Sequence, residues 1–180
     1  MNRLASALLF VFLAPALALA APQTRGPSTG AERHRAVDVT RRLEREPFGK
    51  KAEADRRWLF QWILDIPDVQ VTSCSGPLEA LIADVEDARH GHDLYVQSVF
   101  GMAAFLIGKP GKSDDWIAVQ KAGIESVLRA YQAMRHADDE VRWPELDKLE
   151  SARRAGKLEQ IVRDHVSCHP DDEAIPPGTI

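Results

Sequence analysis

From residue 31 onward apolar positions recur with the period of a helix, in one segment after another. Ala36, Val39 and Leu43 form a thin stripe on a charged segment over residues 32–46, which Pro47 stops. Between residues 51 and 66 the stripe is broader, with Trp58, Leu59, Trp62, Ile63 and Ile66 ahead of Pro67. Val69, Gln70, Val71 and Thr72 alternate, but the run is too short to build a sheet and reads as an extended connector. Ser75, Gly76 and Pro77 predict a helix with proline in its first turn, burying Leu78, Leu81, Ile82 and Val85. His92 or Asp93 begins the most apolar helix, which runs to Ile107 ahead of Gly108 and Pro110. Apolar residues occupy nearly every side of it, so it is expected to be enclosed. Ser113 is the expected cap of the next helix, which carries Ile117, Ile124, Val127, Leu128, Tyr131 and Met134. Pro144 starts a helix to about Ala155, and Gly156 separates it from a last one carrying Leu158, Ile161, Val162 and His165. The pattern predicts an all-α fold of about seven helices, a compact bundle or short array of helical hairpins, in one domain over residues 31–169.

Two glycines sit inside helical segments, Gly101 and Gly123. Each costs about 1 kcal/mol relative to alanine, so a steric reason is expected. They predict a close crossing of the two helices that carry them.

Phe100 and Gly101 followed by Ala103 and Ala104, then Ala122, Gly123 and Tyr131, give residues 92–137 a pattern of their own. That pair of segments, about a quarter of the chain, resembles a tetratricopeptide-like helical hairpin. It departs from the family in the longer connection over residues 108–115, and no repeat at a period of about 34 residues occurs elsewhere. The resemblance implies a helical scaffold that holds a protein partner.

The first twenty residues follow different rules. Arg3 precedes an apolar run over residues 4–14, Pro15 breaks it, and small residues stand at Ala18 and Ala20. This is the pattern of a secretory signal cleaved after Ala20. Residues 21–30 then read as a flexible leader, and the acidic, Pro-rich residues 170–180 as a tail. No cysteine follows the apolar run to take a lipid, and no later run is long enough to span a bilayer. The expected address is secreted or periplasmic, with no membrane anchor after cleavage. Without the signal the balance is 22 basic against 27 acidic side chains, which offers no net basic footprint for nucleic acid.

Export changes the reading of Cys74 and Cys168. In an oxidising compartment an even pair predicts a disulfide. Closing a loop of this size would contribute on the order of 4–5 kcal/mol through loop-closure entropy. The alternative makes Cys168 a reactive thiol between His165 and His169.

Candidate chemistry is sparse. Residues 84–93 place Glu86 and His90 four apart, with Asp87 one turn before His90, and Gly91 able to bring His92 and Asp93 to the same point. Imidazole with carboxylate suits zinc or another divalent ion, although no HExxH or CxxC motif supports it. His165 falls on an apolar stripe and is expected to be half-buried. Trp58 and Trp62, also four apart, are either a core pair or an aromatic face for a peptide or apolar ligand. Leu59, Phe60 and Ile63 cover the neighbouring directions, more apolar surface than one helix buries unless it is sandwiched. Trp116 and Trp143 stand at helix starts, where they are expected to staple loops to the body. No phosphate-cradling loop or G-x-S-x-G elbow occurs, so no catalytic residue and no cofactor is assigned. The reading is a non-enzymatic binding module for a protein partner or an apolar small molecule. Its rivals are a metal-dependent enzyme using Glu86, His90 and His92, and a structural envelope component.

Overall fold

The computed structural model describes residues 25–83 and 90–168; the expected signal and tail, residues 21–24, and Glu86 and Asp87 lie outside it. Helix α1 (Gly30–Arg45) starts from a capping box: the Thr29 hydroxyl accepts the Glu32 N–H at 3.2 Å, and the Glu32 carboxylate accepts the Thr29 N–H at 2.8 Å. The folded body begins before that. Ser28 is buried, its N–H and hydroxyl each donating to Asp68 at 2.7 Å, so residues 25–30 are pinned rather than forming a free leader. Burial pushes the Asp68 carboxyl up, but Ser28 and the Arg33 guanidinium outweigh it and hold the group below its ordinary value.

Helix α2 (Ala52–Asp65) stops where Pro67 forces Ile66 into extended backbone, φ −92° and ψ 138°. The connector that follows forms neither helix nor strand, with Val69 buried and Gln70 exposed. The next helix starts later than expected. Glu79 N–H bonds to Gly76 O and Ile82 N–H to Glu79 O, both at 3.0 Å, in tight i→i+3 turns that delay α3 to Ala80–Ala83. The altered winding buries Leu81 but turns Ile82 to solvent, against expectation; Val85 lies outside the described residues.

Helices α4 (Gly91–Gly108) and α5 (Trp116–Ala137) form the central hairpin. The 3₁₀ turn Pro110–Lys112 uses up part of the connection, so α5 is capped by Asp115, which accepts from Ala118 N–H at 3.2 Å, and not by Ser113. Both glycines lie at the predicted crossing. A Cβ on Gly101 would sit 2.3 Å from Ser126 Cβ, and one on Gly123 would sit 2.9 Å from Met102 Cγ. Enclosure of α4 holds for its middle, where Gln97, Ser98 and Phe100 to Ala103 are buried; His92 is exposed, and Phe105, Leu106 and Ile107 are only half-buried. The more completely covered helix is α5, which touches α1, α4, α6 and α7.

Helices α6 (Pro144–Arg154) and α7 (Leu158–His165) are joined by a left-handed Gly156, φ +69°. Lys157 N–H to Ala152 O at 2.9 Å and Gly156 N–H to Arg153 O at 3.1 Å complete a Schellman cap there. Beyond α7 the chain runs against the connector, with Ser167 N–H donating to Ser75 O at 2.9 Å, and Cys74 and Cys168 form a disulfide with Cα atoms 4.9 Å apart. The reactive-thiol reading of Cys168 therefore falls. His165 is exposed, not half-buried, because Val166 takes the inward position as the chain leaves the helix.

Two apolar clusters result. One joins α5, α6 and α7 around Val127, Leu128, Tyr131, Leu146 and Val162. The other joins α1, α2 and the second half of α4 around Val39, Leu43, Leu59, Trp62 and Phe100. A buried polar link ties α1 to the central hairpin: Gln97 donates to Ser126 Oγ at 3.0 Å, Ser126 Oγ donates to Glu44 at 2.6 Å, and Arg129 forks onto both Glu44 oxygens at 2.8 and 2.9 Å.

Candidate functional site

Helix α2 is fixed by its neighbours on three sides. Leu59 and Trp62 face the core, Arg42 Nε of α1 donates to Asp55 at 2.7 Å, and Arg56 donates to Pro47 O at 2.7 Å and lies 3.6 Å from Asp93 of α4. The fourth side has no cover. Phe60 and Leu64, one turn apart, are 43% and 64% exposed. Three other large apolar residues are exposed among the described residues, Phe48, Ile82 and Trp116, each on a different segment. Scattered single residues of that kind need no explanation. An i,i+4 pair on an anchored helix is different, because it presents a preformed stripe. The exposed parts of Phe60 and Leu64 correspond to about 1 kcal/mol each that covering them would recover.

The predicted aromatic pair lies round the helix from this stripe. Trp58 and Trp62 stack with ring centroids 6.0 Å apart, as their spacing implies. Trp62 is 3% exposed and belongs to the core; its indole N–H is buried without an acceptor, out of reach of a ligand. Trp58 is half-buried, with one neighbour in Trp62 and the Arg35 guanidinium 3.8 Å from its ring centre. Beside it runs an open groove of about 380 Å³ whose wall includes Arg25, Glu32, Trp58, Gln61, Trp62 and Asp65. The apolar stripe that α2 leaves exposed is Phe60 and Leu64, with Trp62 on the core side. The surplus of apolar residues around α2 was the sequence signal for it: the side left over after the sandwich closes is the exposed one.

Of the histidine cluster, His90, His92 and Asp93 lie among the described residues, and Glu86 and Asp87 lie outside them. His90 adopts a left-handed conformation, φ 61° and ψ 7°, at the cap of α4. Its ring lies on Phe48, centroids 4.6 Å apart, and its Nδ1 is 3.8 Å from Asp93, which already faces the Arg56 guanidinium. His92 is exposed on the first turn of α4. Gly91 is closely packed: a Cβ there would sit 2.2 Å from Leu81 O and 3.0 Å from the Trp143 ring. Among the described residues no group of three His, Cys, Asp or Glu side chains is placed to hold a metal ion.

Trp143 is half-buried against the first cluster, and its backbone N–H donates to Tyr131 Oη at 2.9 Å, fixing the start of α6 to α5. Trp116, the first residue of α5, is 40% exposed. Comparison of the chain with protein-family models, curated proteins and solved structures finds no match in any of the three.

Proposed function

We propose that this chain is an exported, non-enzymatic helical module that docks onto a partner surface through the open side of α2. The observation that carries this reading is the pair Phe60 and Leu64, exposed side by side on a helix whose other sides are held by α1, α4 and the core. A stripe of this kind suits an extended partner surface better than a small molecule, since the adjoining groove is open and rimmed by charge. The N-terminal signal pattern supports export, and a Cys74–Cys168 bridge is consistent with an oxidising secreted or periplasmic address. The central hairpin, with its tetratricopeptide-like residues, serves as the scaffold that holds α2 outward.

The test is co-sedimentation of the mature chain, starting at Ala21, with the washed envelope fraction of the cells that make it. The native protein is expected in the pellet. Phe60→Ser/Leu64→Ser is expected in the supernatant with an unchanged melting temperature, because both positions are exposed. Equal pelleting of variant and native protein would remove α2 as the docking surface.

A further inference from the structure

Resting on that reading of α2, we infer that the surface it docks on is an anionic lipid bilayer. Three observations converge on this partner. The first is the company that Phe60 and Leu64 keep. Arg57, on the same outer side of α2, has its side chain 76% exposed and is engaged only by the equally open Glu53. On α1, Arg35 and Arg42 turn toward α2, meeting Trp58 and Asp55. The next row outward on α1 is His34, Arg41 and Arg45, spaced at i, i+7 and i+11 and all exposed. Exposed acids stand among them, Asp38 and Glu46 on α1 and its end and Glu53 and Asp65 on α2, so the outer face of the pair sets arginines and acids around an apolar stripe. Arginines beside an apolar stripe suit the headgroup region of a membrane.

The second observation is charge asymmetry along the chain. Residues 25–68, which build the α1–α2 layer, carry ten basic against eight acidic side chains. Residues 69–180 carry 12 against 19. A protein that is acidic as a whole thus keeps its positive balance in the layer that bears the apolar stripe. An anionic bilayer attracts that layer and repels the remainder, which orients the molecule.

The third is where the apolar N-terminal segment joins the body. Only residues 21–24 separate it from Arg25, a reach of about 13 Å when fully extended. Arg25 pairs with Glu32 on the first turn of α1 and shares a groove wall with Trp58, Gln61 and Asp65 of α2. The end of the molecule delivered next to the bilayer during export is therefore the end that carries the apolar stripe and its arginines. No helix among the described residues is long and apolar enough to cross a membrane, so the association is peripheral. It is reversible and salt-sensitive, since neither two side chains nor a few cations hold a protein on a bilayer alone.

The experiment is flotation of the mature chain with vesicles of phosphatidylcholine alone and of phosphatidylcholine mixed with phosphatidylglycerol, at low and at high salt. The native protein is expected to float with the anionic vesicles, to release in high salt, and to stay behind with phosphatidylcholine alone. Phe60→Ser/Leu64→Ser should lower the partition about tenfold. Arg41→Glu/Arg45→Glu should do so by a similar factor on anionic vesicles. Circular dichroism melts confirm that each variant folds, and Leu64→Ser alone, at the more exposed position, provides a milder check. Failure to float with anionic vesicles at low salt overturns the lipid assignment, as does equal flotation of the native and double-serine proteins. If flotation fails while envelope binding still depends on Phe60 and Leu64 and is abolished by protease treatment of the envelope, the partner is a protein: the docking face stands and the lipid inference falls. If neither kind of binding depends on those residues, both fall.

Discussion

The half of the molecule built by α5, α6 and α7 and the layer built by α1 and α2 use the same helical chemistry to different ends. In the first, α5 packs against α1, α4, α6 and α7, and every large apolar residue of α6 and α7 is at least partly buried. Its polar groups are tied down as well. Tyr131 Oη accepts from the backbone N–H of Trp143, Arg135 donates to Asp147 at 2.8 Å, and Glu150 is buried between Arg153 and Arg154, at 2.8 and 2.9 Å. The disulfide then fastens the chain beyond α7 to the connector that follows α2. In the second, a thin stripe on α1 and one side of α2 meet the core, while Phe60 and Leu64 remain uncovered. The difference teaches that apolar content alone does not mark a core. Coverage does, and it is decided by whether a neighbouring helix exists on that side.

The strongest way to break the comparison is to cut the covalent tie. Cys74→Ser/Cys168→Ser is expected to lose about 4–5 kcal/mol by denaturant unfolding, if loop-closure entropy dominates. Its hydrogen exchange should rise more in the peptides over residues 72–83 and 158–168 than in α1 and α2. A uniform rise would show that the halves are one cooperative unit. Next comes the crossing between them. Gly101→Ala gains about 1 kcal/mol of helix propensity but forces a 2.3 Å approach to Ser126 Cβ, so a net loss of about 2 kcal/mol is expected. Gly108→Ala, with no atom near the added methyl, should be neutral or slightly stabilising and serves as the control. Equal effects of the two would remove the close-crossing account. Smaller again is Glu44→Gln, which weakens the fork from Arg129 and the bond from Ser126. A loss of about 1–2 kcal/mol is expected, loosening α1 before α6 or α7.

The smallest effect is pH dependence, which separates the halves by residue. Two hydrogen bonds from Arg153 outweigh the burial of Glu150 and, with Arg154, hold its carboxyl below the ordinary range; Asp68 is likewise lowered in the α1–α2 layer. A carboxyl lowered in the folded state stabilises it fully above the ordinary pKa of about 4, and that stabilisation fades as pH falls through the lowered value. Unfolding stability should therefore drop on acidification below about pH 4. Glu150→Gln should flatten that slope through the α6–α7 half, and Asp68→Asn should flatten it through the leader contact with Ser28. An unchanged slope in both variants would contradict the assignment.

Much of this architecture was legible in the residues. Pro47, Pro67, Pro144 and Gly156 bound the helices where their backbone restrictions require, and Gly101 and Gly123 foretold the crossing. What escaped depended on local competition or on distant contacts. Ser113 lost the cap to Asp115 because a 3₁₀ turn used up the connection, and Ile82 turned outward because tight turns changed the winding before α3. The link from Glu44 to Ser126 and Arg129 spans more than eighty residues and leaves no local signature. At the candidate site the surplus of apolar residues on α2 was legible, but which of them stay exposed was not. Tryptophan draws attention as a binding residue, yet a large flat ring is also what fills the gap between two helices, and Trp62 does so.

The central claim is that the α1–α2 layer docks while the α5–α7 half only supports it. The direct measurement is site-specific photocrosslinking in the cells that make the protein, with a photoreactive phenylalanine at position 60 or at position 116. Both sites are similarly exposed aromatic positions, 43% and 40%, on the two sides of the comparison. Adducts of lipid or protein at position 60, with none at position 116, are the predicted result. Adducts at position 116 with none at position 60 would contradict it.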